Sequence, residues 1–454
     1  MRMTFGRYGP LLLAGGLAFN LTACTAPGEK QAEQRAAKAK AGAPAAPSTG
    51  PASAAADKTA PAGLRQLNVF VDISTGMRGF MHPTRPGEPG SQFQQTVTGL
   101  LSDVNATPGA QPAYYFVGEP SPQAPGGLMP TSYGELTQAV GVGMKKSATG
   151  TEMPDMLRQV LRLQAQKPGT VSVIISDFIY GPQDPRQVFR VKTDVKDALR
   201  TVADPSQLAV SVFANVSEFS DKFFPGNRTA PQQLKGARLP YYIWVLGAPE
   251  LVRQVDDQLL SRLDGQPQAH FNLHFPTPPY GVVTGYQSQG QWYAEPGPEG
   301  GKATGVSFTA LSRQEPAQLT VGFDLRSLPR AVQQNFKAPQ LSLDPANTDA
   351  RLLKTWGAGT GPAVPPAGRA YSHFAQIGLS RLPGRKPQTL RLTLAPPMPT
   401  WVAGYSTTND SRIAAQGAKT FLLLDVMQGV RDYFAGQPSA NAAVFAVPVT
   451  VRPD

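Results

Sequence analysis

A single cysteine, Cys24, occurs in the 454 residues of this chain. The protein therefore makes no internal disulfide, and cysteine-built metal sites are excluded. Charge is sparse as well, with Asp, Glu, Lys and Arg together at 16%. The net charge of +11 invites a nucleic-acid reading. Residues 1–66, however, hold eight Lys/Arg against three acids and so carry close to half of that excess. The remainder shows no Lys/Arg cluster interleaved with aromatics, so nucleic acid is not an expected partner. A basic segment beside anionic lipid headgroups is the simpler use of the charge. Also missing are Gly-x-x-x-x-Gly-Lys-Ser/Thr, Gly-x-Ser-x-Gly and His-Glu-x-x-His, which removes the phosphate-cradling loop, the nucleophile elbow and the zinc-protease helix from consideration. There is no internal repeat and no heptad pattern.

What is present begins with the N-terminus. Arg2 and Arg7 form a basic start, and Leu11 to Phe19 form an apolar run too short to span a membrane permanently. The run ends in Leu21-Thr22-Ala23-Cys24. This resembles the bacterial lipoprotein signal, in which cleavage precedes a cysteine whose thiol is lipidated. The resemblance implies residues 1–23 as signal peptide, Cys24 as the lipidation site and a lipid membrane as a partner through that anchor. Thr25 after the cysteine resembles the sorting pattern of outer-membrane lipoproteins in Gram-negative envelopes, facing the periplasm. Residues 24–64 are Ala, Pro, Gly, Ser and Lys with almost no large apolar side chain, a composition unable to bury enough surface to fold. As a flexible coil such a tether spans about 35 Å.

The hydrophobic fraction of 41% is sufficient for globular cores in the rest of the chain. Over residues 65–265, strand-like runs at Leu67–Asp72, Ala113–Val117, Val171–Asp177, Leu208–Val216 and Tyr241–Leu246 are interspersed with helical patterns. The helical stretches are Gln92–Asn105, Tyr133–Lys146, Pro154–Gln166, Val188–Val202 and Ala248–Leu263. Continuous apolar strands among helices predict a doubly wound α/β fold with a parallel sheet covered on both faces. Over residues 266–454 short alternating runs separated by Gly and Pro predict a mainly-β, sandwich-like domain. Its strands are expected at His270–Phe275, Val306–Leu311, Leu319–Leu325, Gln340–Leu343, Ile377–Leu379, Leu390–Leu394 and Val444–Val451. One late helix near Thr420–Phe434 is expected to pack on that β domain.

In open α/β sheets ligands bind beyond the carboxyl ends of the strands. Asp72 and Ser74 follow the first strand, Thr151 precedes a helix, and Asp177 ends the apolar run Val171 to Ser176. Two carboxylates and two hydroxyls converging there form an oxygen-rich site suited to Mg²⁺ or Ca²⁺. Asp72-x-Ser74, followed by Met77, Gly79 and Phe80, and then by Thr151 and Asp177 in that order, resembles the von Willebrand factor A domain and its metal-ion-dependent adhesion site. The resemblance covers roughly 200 residues and implies that Asp72, Ser74, Thr151 and Asp177 hold a divalent cation whose open position takes a carboxylate from a partner protein. Gly76 stands where that family has its second serine, which removes one hydroxyl ligand.

Three functions are expected in turn. The first is a membrane-anchored lipoprotein of the cell envelope whose α/β domain binds a protein partner through a degenerate metal site. The second is a structural envelope lipoprotein with a metal-free scaffold. The third, a phosphatase-like hydrolase with Asp72 as nucleophile, lacks the second acid two residues later, where Ser74 stands; no enzyme is expected. His270 and His274 share a strand face, but with no third ligand near in sequence they read as strand histidines.

Overall fold

The computed structural model describes residues 63–454, apart from 83–86, 88, 121–125, 145–146, 149, 183, 274, 298–301, 329–332, 334–340, 345–347, 383, 395–397 and 437–443. The segment expected as a signal peptide, Cys24, most of the expected tether and His274 lie outside the described residues.

The strands in chain order are β1 (Gln66–Asp72), β2 (Gln111–Gly118), β3 (Gly127–Thr131), β4 (Thr170–Ser176), β5 (Ala209–Phe219), β6 (Lys222–Phe223), β7 (Gln232–Gln233), β8 (Ala237–Gly247) and β9 (Gln268–Phe271). Seven of them form one sheet in the order β3-β2-β1-β4-β8-β5-β9. Helices α1 (Gln92–Asn105), α2 (Tyr133–Val142), α3 (Met153–Ala165), α4 (Val191–Leu199) and α5 (Pro249–Leu259) flank it. Side chains alternate across each strand, which divides the core in two. One face carries Leu67, Val69, Val71, Val173, Ile175, Ile243 and Val245 against α1, α2 and α5. The other carries Phe70, Ile174, Val210, Val212, Tyr242 and Trp244 against α3 and α4. Burial on both faces is why the central strands read as unbroken apolar runs.

The expected all-parallel sheet is corrected by the pairings. Only β1–β2 and β1–β4 are parallel; β2–β3, β4–β8, β8–β5 and β5–β9 are antiparallel. The reason is local. No helix separates β5 from β8, only a short excursion containing the β6–β7 ladder, and without a crossover the chain returns as a hairpin. That hairpin pairs Ala209 with Gly247 through to Phe219 with Ala237 and inserts β8 between β4 and β5. The segment around His270 is corrected too: Gln268–Phe271 is the edge strand of this large sheet and not the first strand of the β domain.

Helix starts follow their sequence signals. Ser91 and Gln94 close a capping box at α1, as Ser132 and Glu135 do at α2, each satisfying backbone donors that the first turn leaves free. Pro154 sits in the first turn of α3. α2 stops at Val142 because Gly143 turns out with φ 95°. The helix expected over Val188–Val202 begins as a 3₁₀ turn, Pro185–Arg190, and becomes α4.

Beyond residue 272 come β10 (Tyr280–Val282), β11 (Trp292–Glu295), β12 (Gly305–Phe308), β13 (Ala317–Phe323), β14 (Leu341–Asp344), β15 (Ala350–Gly357), β16 (His373–Leu379), β17 (Gln388–Leu394), β18 (Ser406–Thr407), β19 (Thr420–Phe421) and β20 (Phe445–Pro453). A four-stranded sheet, β10-β13-β16-β15, and a five-stranded sheet, β11-β12-β20-β17-β14, share one apolar core. Leu319, Val321 and Ile377 meet Leu390, Leu392, Val447 and Val449 there. Among the described residues three helices interrupt the β region: α6 (Thr400–Tyr405), α7 (Ile413–Gln416) and α8 (Leu423–Ala435). The late helix, α8, does not pack on the β region as expected. Its Val426, Met427 and Val430 enter the core beneath α3 and α4, on the second face of the large sheet. The described residues accordingly form one compact unit.

The α4–α8 contact depends on a glycine. A Cβ at Gly429 stands 3.0 Å from the Lys192 carbonyl oxygen and 3.0 Å from Val195 Cβ. Gly429→Val is expected to force α8 outward and destabilise the protein by about 1–3 kcal/mol, as overpacking does. Gly404→Ala, in a helix with open space around it, is the control and is expected to hold or raise stability. Urea midpoints decide; equal midpoints for Gly429→Val and wild type contradict the contact.

Candidate functional site

β1 and β4 run parallel, so their carboxyl ends reach the same edge of the sheet. Asp72 closes β1, Ser176 closes β4, and Asp177 follows. A third segment is stitched beside them. Ile73 N–H donates to the Val117 carbonyl at 2.9 Å, Ala148 N–H to Ile73 at 2.9 Å, and Thr75 N–H to Ala148 at 3.1 Å. This ladder carries the chain around residue 148 across the end of β1 and sets Thr151 over Asp72. Gly118 permits the approach, because a Cβ there would meet Ala148 Cβ at 2.2 Å.

Asp72 is 1% exposed. Its Oδ1 accepts from the Ser74 backbone N–H at 2.7 Å and from the Thr151 hydroxyl at 2.7 Å, and its Oδ2 accepts from the Ser176 hydroxyl at 2.7 Å. The Ser74 hydroxyl bonds the same carboxyl. Burial raises the Asp72 pKa, and these hydrogen bonds oppose the rise. Asp177 differs. One oxygen, Oδ1, accepts from Ile179 N–H at 3.1 Å; the other, Oδ2, faces Gly76, 3.3 Å from where a Cβ would stand, with Ser74 Oγ 3.7 Å from that same point. Burial first, then the Asp72 charge, pushes the Asp177 carboxyl up to about 7.

The turn after Asp177 is held under strain. Phe178 adopts φ 50°, a left-handed conformation costing a bulky residue about 1–3 kcal/mol. Stacking compensates: the Phe178 ring lies 4.4 Å from that of Trp244, nearly parallel, and is fully buried.

All four residues expected to hold a cation, Asp72, Ser74, Thr151 and Asp177, stand at this one edge. Their donor atoms are oxygens throughout, the chemistry a hard divalent cation prefers. The residues therefore fit such an ion in donor type, and Gly76 beside them offers no side-chain ligand. Thr75 turns its hydroxyl to the Ala148 carbonyl, donating at 2.9 Å.

Sequence reasoning missed two contributors. Ser176 holds Asp72 Oδ2; the signal was available, as a hydroxyl closing the strand directly before Asp177. Asp410 had no such signal. It arrives from far along the chain, is fully buried, and its carboxylate accepts from Gly226 N–H at 2.6 Å and Asn227 N–H at 3.4 Å. Its charge adds to the upward pressure on Asp177. Beside Thr151 a cavity of about 460 Å³ opens between Glu119, Glu152 and Asp155. Burial first, then the Glu152 charge, raises the Glu119 carboxyl.

Comparison with protein-family models, with curated proteins and with solved structures finds no match. Among the described residues no helix is long and apolar enough to cross a membrane.

The raised Asp177 sets a pH dependence. A carboxyl whose folded pKa lies above its unfolded value binds its proton preferentially in the folded state. The stability it contributes is complete below about pH 4 and is lost as pH rises through about 7. In chelator, wild type is expected to lose stability between pH 4 and pH 7, with Asp177→Asn losing less. Parallel curves for the two proteins rule the shift out.

Proposed function

We propose that the chain is an exported lipoprotein, anchored at the cell envelope through Cys24 and a flexible tether, whose α/β region binds a protein partner at the carboxyl edge of its large sheet. A divalent cation, Mg²⁺ or Ca²⁺, held by Asp72, Ser74, Thr151 and Asp177, mediates that binding in this reading. The cation's remaining position takes a carboxylate oxygen from the partner. The observation that carries the proposal is the convergence of Asp72, Thr151, Ser74 and Asp177 Oδ2 at one strand edge from three separate segments of chain. The resemblance to the von Willebrand factor A domain rests on the same residues and belongs to this proposal.

A second reading, a metal-free scaffold with a structural envelope role, draws on one specific observation. The Asp72 carboxylate already receives protein donors on both oxygens, so the fold can hold this acid without a cation. A hydrolase using Asp72 as nucleophile is disfavoured by the same bonds and by 1% exposure, because a nucleophile has to reach its substrate.

The two leading readings separate by substitution. Gly76 has no left-handed backbone requirement, and the nearest obstacle to a Cβ is the Asp177 oxygen at 3.3 Å. Gly76→Ser therefore returns the missing hydroxyl to the site. In thermal melts, Mg²⁺ or Ca²⁺ is expected to raise the melting temperature of wild type, to raise that of Gly76→Ser at lower ion concentration, and to leave Asp72→Ala unmoved. Absence of any ion-dependent shift in both wild type and Gly76→Ser leaves the metal-free scaffold standing. Capture of an envelope protein by wild type that persists in chelator would contradict the cation's role even where an ion binds.

A further inference from the structure

A second polar cluster lies inside the α/β region, toward the β9 edge of the sheet. Ser211 projects from β5, His270 from β9 and Asp256 from α5. Ser211 is fully buried, and the side chains of His270 and Asp256 are 8% and 10% exposed. Ser211 Oγ lies 2.6 Å from Asp256 Oδ2 and 2.9 Å from His270 Nδ1. His270 Nε2 lies 3.0 Å from Gln268 Oε1, and Gln268 Nε2 donates to the Leu263 carbonyl at 3.2 Å. Asp256 Oδ1 is buried without a partner.

Hydrogen-bond arithmetic restricts where the protons sit. The Leu263 carbonyl only accepts, so the amide nitrogen of Gln268 faces it and the amide oxygen faces His270. That oxygen also only accepts, so His270 Nε2 carries a hydrogen. The Ser211 hydroxyl has one hydrogen for two neighbours. Two arrangements satisfy all contacts. In the first, Ser211 donates to an ionised Asp256 and His270 donates from Nδ1 as well, making a buried ion pair. In the second, a protonated Asp256 donates to Ser211 Oγ, and Ser211 donates to Nδ1 of a neutral imidazole. They differ by the shift of one proton along the chain Asp256–Ser211–His270, with no net gain or loss.

The surroundings select between them. An ionised Asp256 would keep one buried oxygen unpaired, the costliest form of a buried charge. Asp257 on the same helix and Asp264 in the following turn add negative potential to Asp256, while Arg253 acts on Asp257. Apart from the Asp256 carboxyl itself, whose Oδ2 lies 3.7 Å from Nδ1, His270 is faced by the Phe213 ring at 6.0 Å from β5 and by Gln268 from its own strand, neither of them a charge. Its pKa is drawn down to about 4 by burial.

We infer that Asp256 is kept as a neutral carboxylic acid, and that Asp256, Ser211 and His270 form a proton-sharing latch that fastens the edge strand β9 to β5 and α5. The latch is pH-sensitive at both ends. A second proton, on His270, leaves Ser211 between two donors with no acceptor for its own hydrogen on that side. Loss of the Asp256 proton leaves a buried carboxylate against Asp257 and Asp264. β9 is the last strand before the chain passes to the β region, so opening the latch loosens that passage.

The test uses the full chain with selectively ¹⁵N-labelled histidine, since only four histidines occur. At pH 7 the His270 signals are expected to show a neutral ring with the hydrogen on Nε2, unchanged until the pH approaches 4. Asp256→Asn, whose amide N–H replaces the acid O–H toward Ser211, is expected to keep the wild-type urea midpoint at pH 7. Infrared difference spectra between the two proteins are expected to contain a protonated-carboxyl band. A doubly protonated His270 at pH 7 overturns the inference, as does a neutral ring with its hydrogen on Nδ1. A collapse of the urea midpoint in Asp256→Asn, or its failure to fold, points the same way, and the wild-type histidine spectrum is read independently of the variant.

Discussion

A carboxylate buried at the end of a central strand has to be satisfied, and the carboxyl edge of the large sheet is organised around that requirement. Asp72 takes hydrogen bonds from the loop that follows it, from Thr151 in the segment stitched across by Ala148, and from Ser176 at the end of the neighbouring strand. Hydrogen bonds to a charged group are worth about 1.5–3 kcal/mol each, so these donors decide whether burial of Asp72 is tolerable. The same bonds draw three stretches of chain, distant in sequence, to one point. Asp177 arrives there with an uncommitted oxygen because the turn at Phe178, pinned against Trp244, fixes its direction.

The rest of the fold supplies the rigidity that this edge needs. Parallel pairing of β1 with β2 and β4 aligns the strand ends. Burial of both sheet faces fixes the strands in register, since a one-residue slip would turn each apolar side chain to the wrong face. The second face is completed only by α8, contributed from within the β region. Asp410 comes from the same late stretch, and its carboxylate holds the loop at Gly226 against Ile179, two residues beyond Asp177. The C-terminal half is therefore part of the structure that shapes the edge as well as a separate β layer.

Legibility in the sequence followed the range of the determining contacts. α1 was readable to its ends because Ser91, Gln94 and its apolar stripe are local signals, and β1 and β4 were readable because complete burial leaves an apolar run. The antiparallel return of β8 was legible in principle, since nothing helical lies between it and β5. The apolar run at Tyr241–Leu246 looks the same for either direction, however, and an expectation of crossovers filled the gap. The partner of α8 was not legible: Val426, Met427 and Val430 fit any apolar face, and only the three-dimensional path places them against α4. Within the site, Asp72, Ser74, Thr151 and Asp177 stood out by type and order. Asp410 did not, because a buried acid that binds loop amides leaves no local pattern.

A cation held by these oxygen atoms, as proposed above, can be located directly. Mn²⁺ shares the preference of Mg²⁺ for oxygen ligands and can be located by its anomalous scattering. In crystals soaked with Mn²⁺, one anomalous peak is expected at the carboxyl ends of β1 and β4, within bonding distance of Asp72, Ser74 or Thr151 and directly or through water of Asp177. Density without such a peak, with Thr151 and Ser176 still donating to Asp72 as they do now, would contradict it.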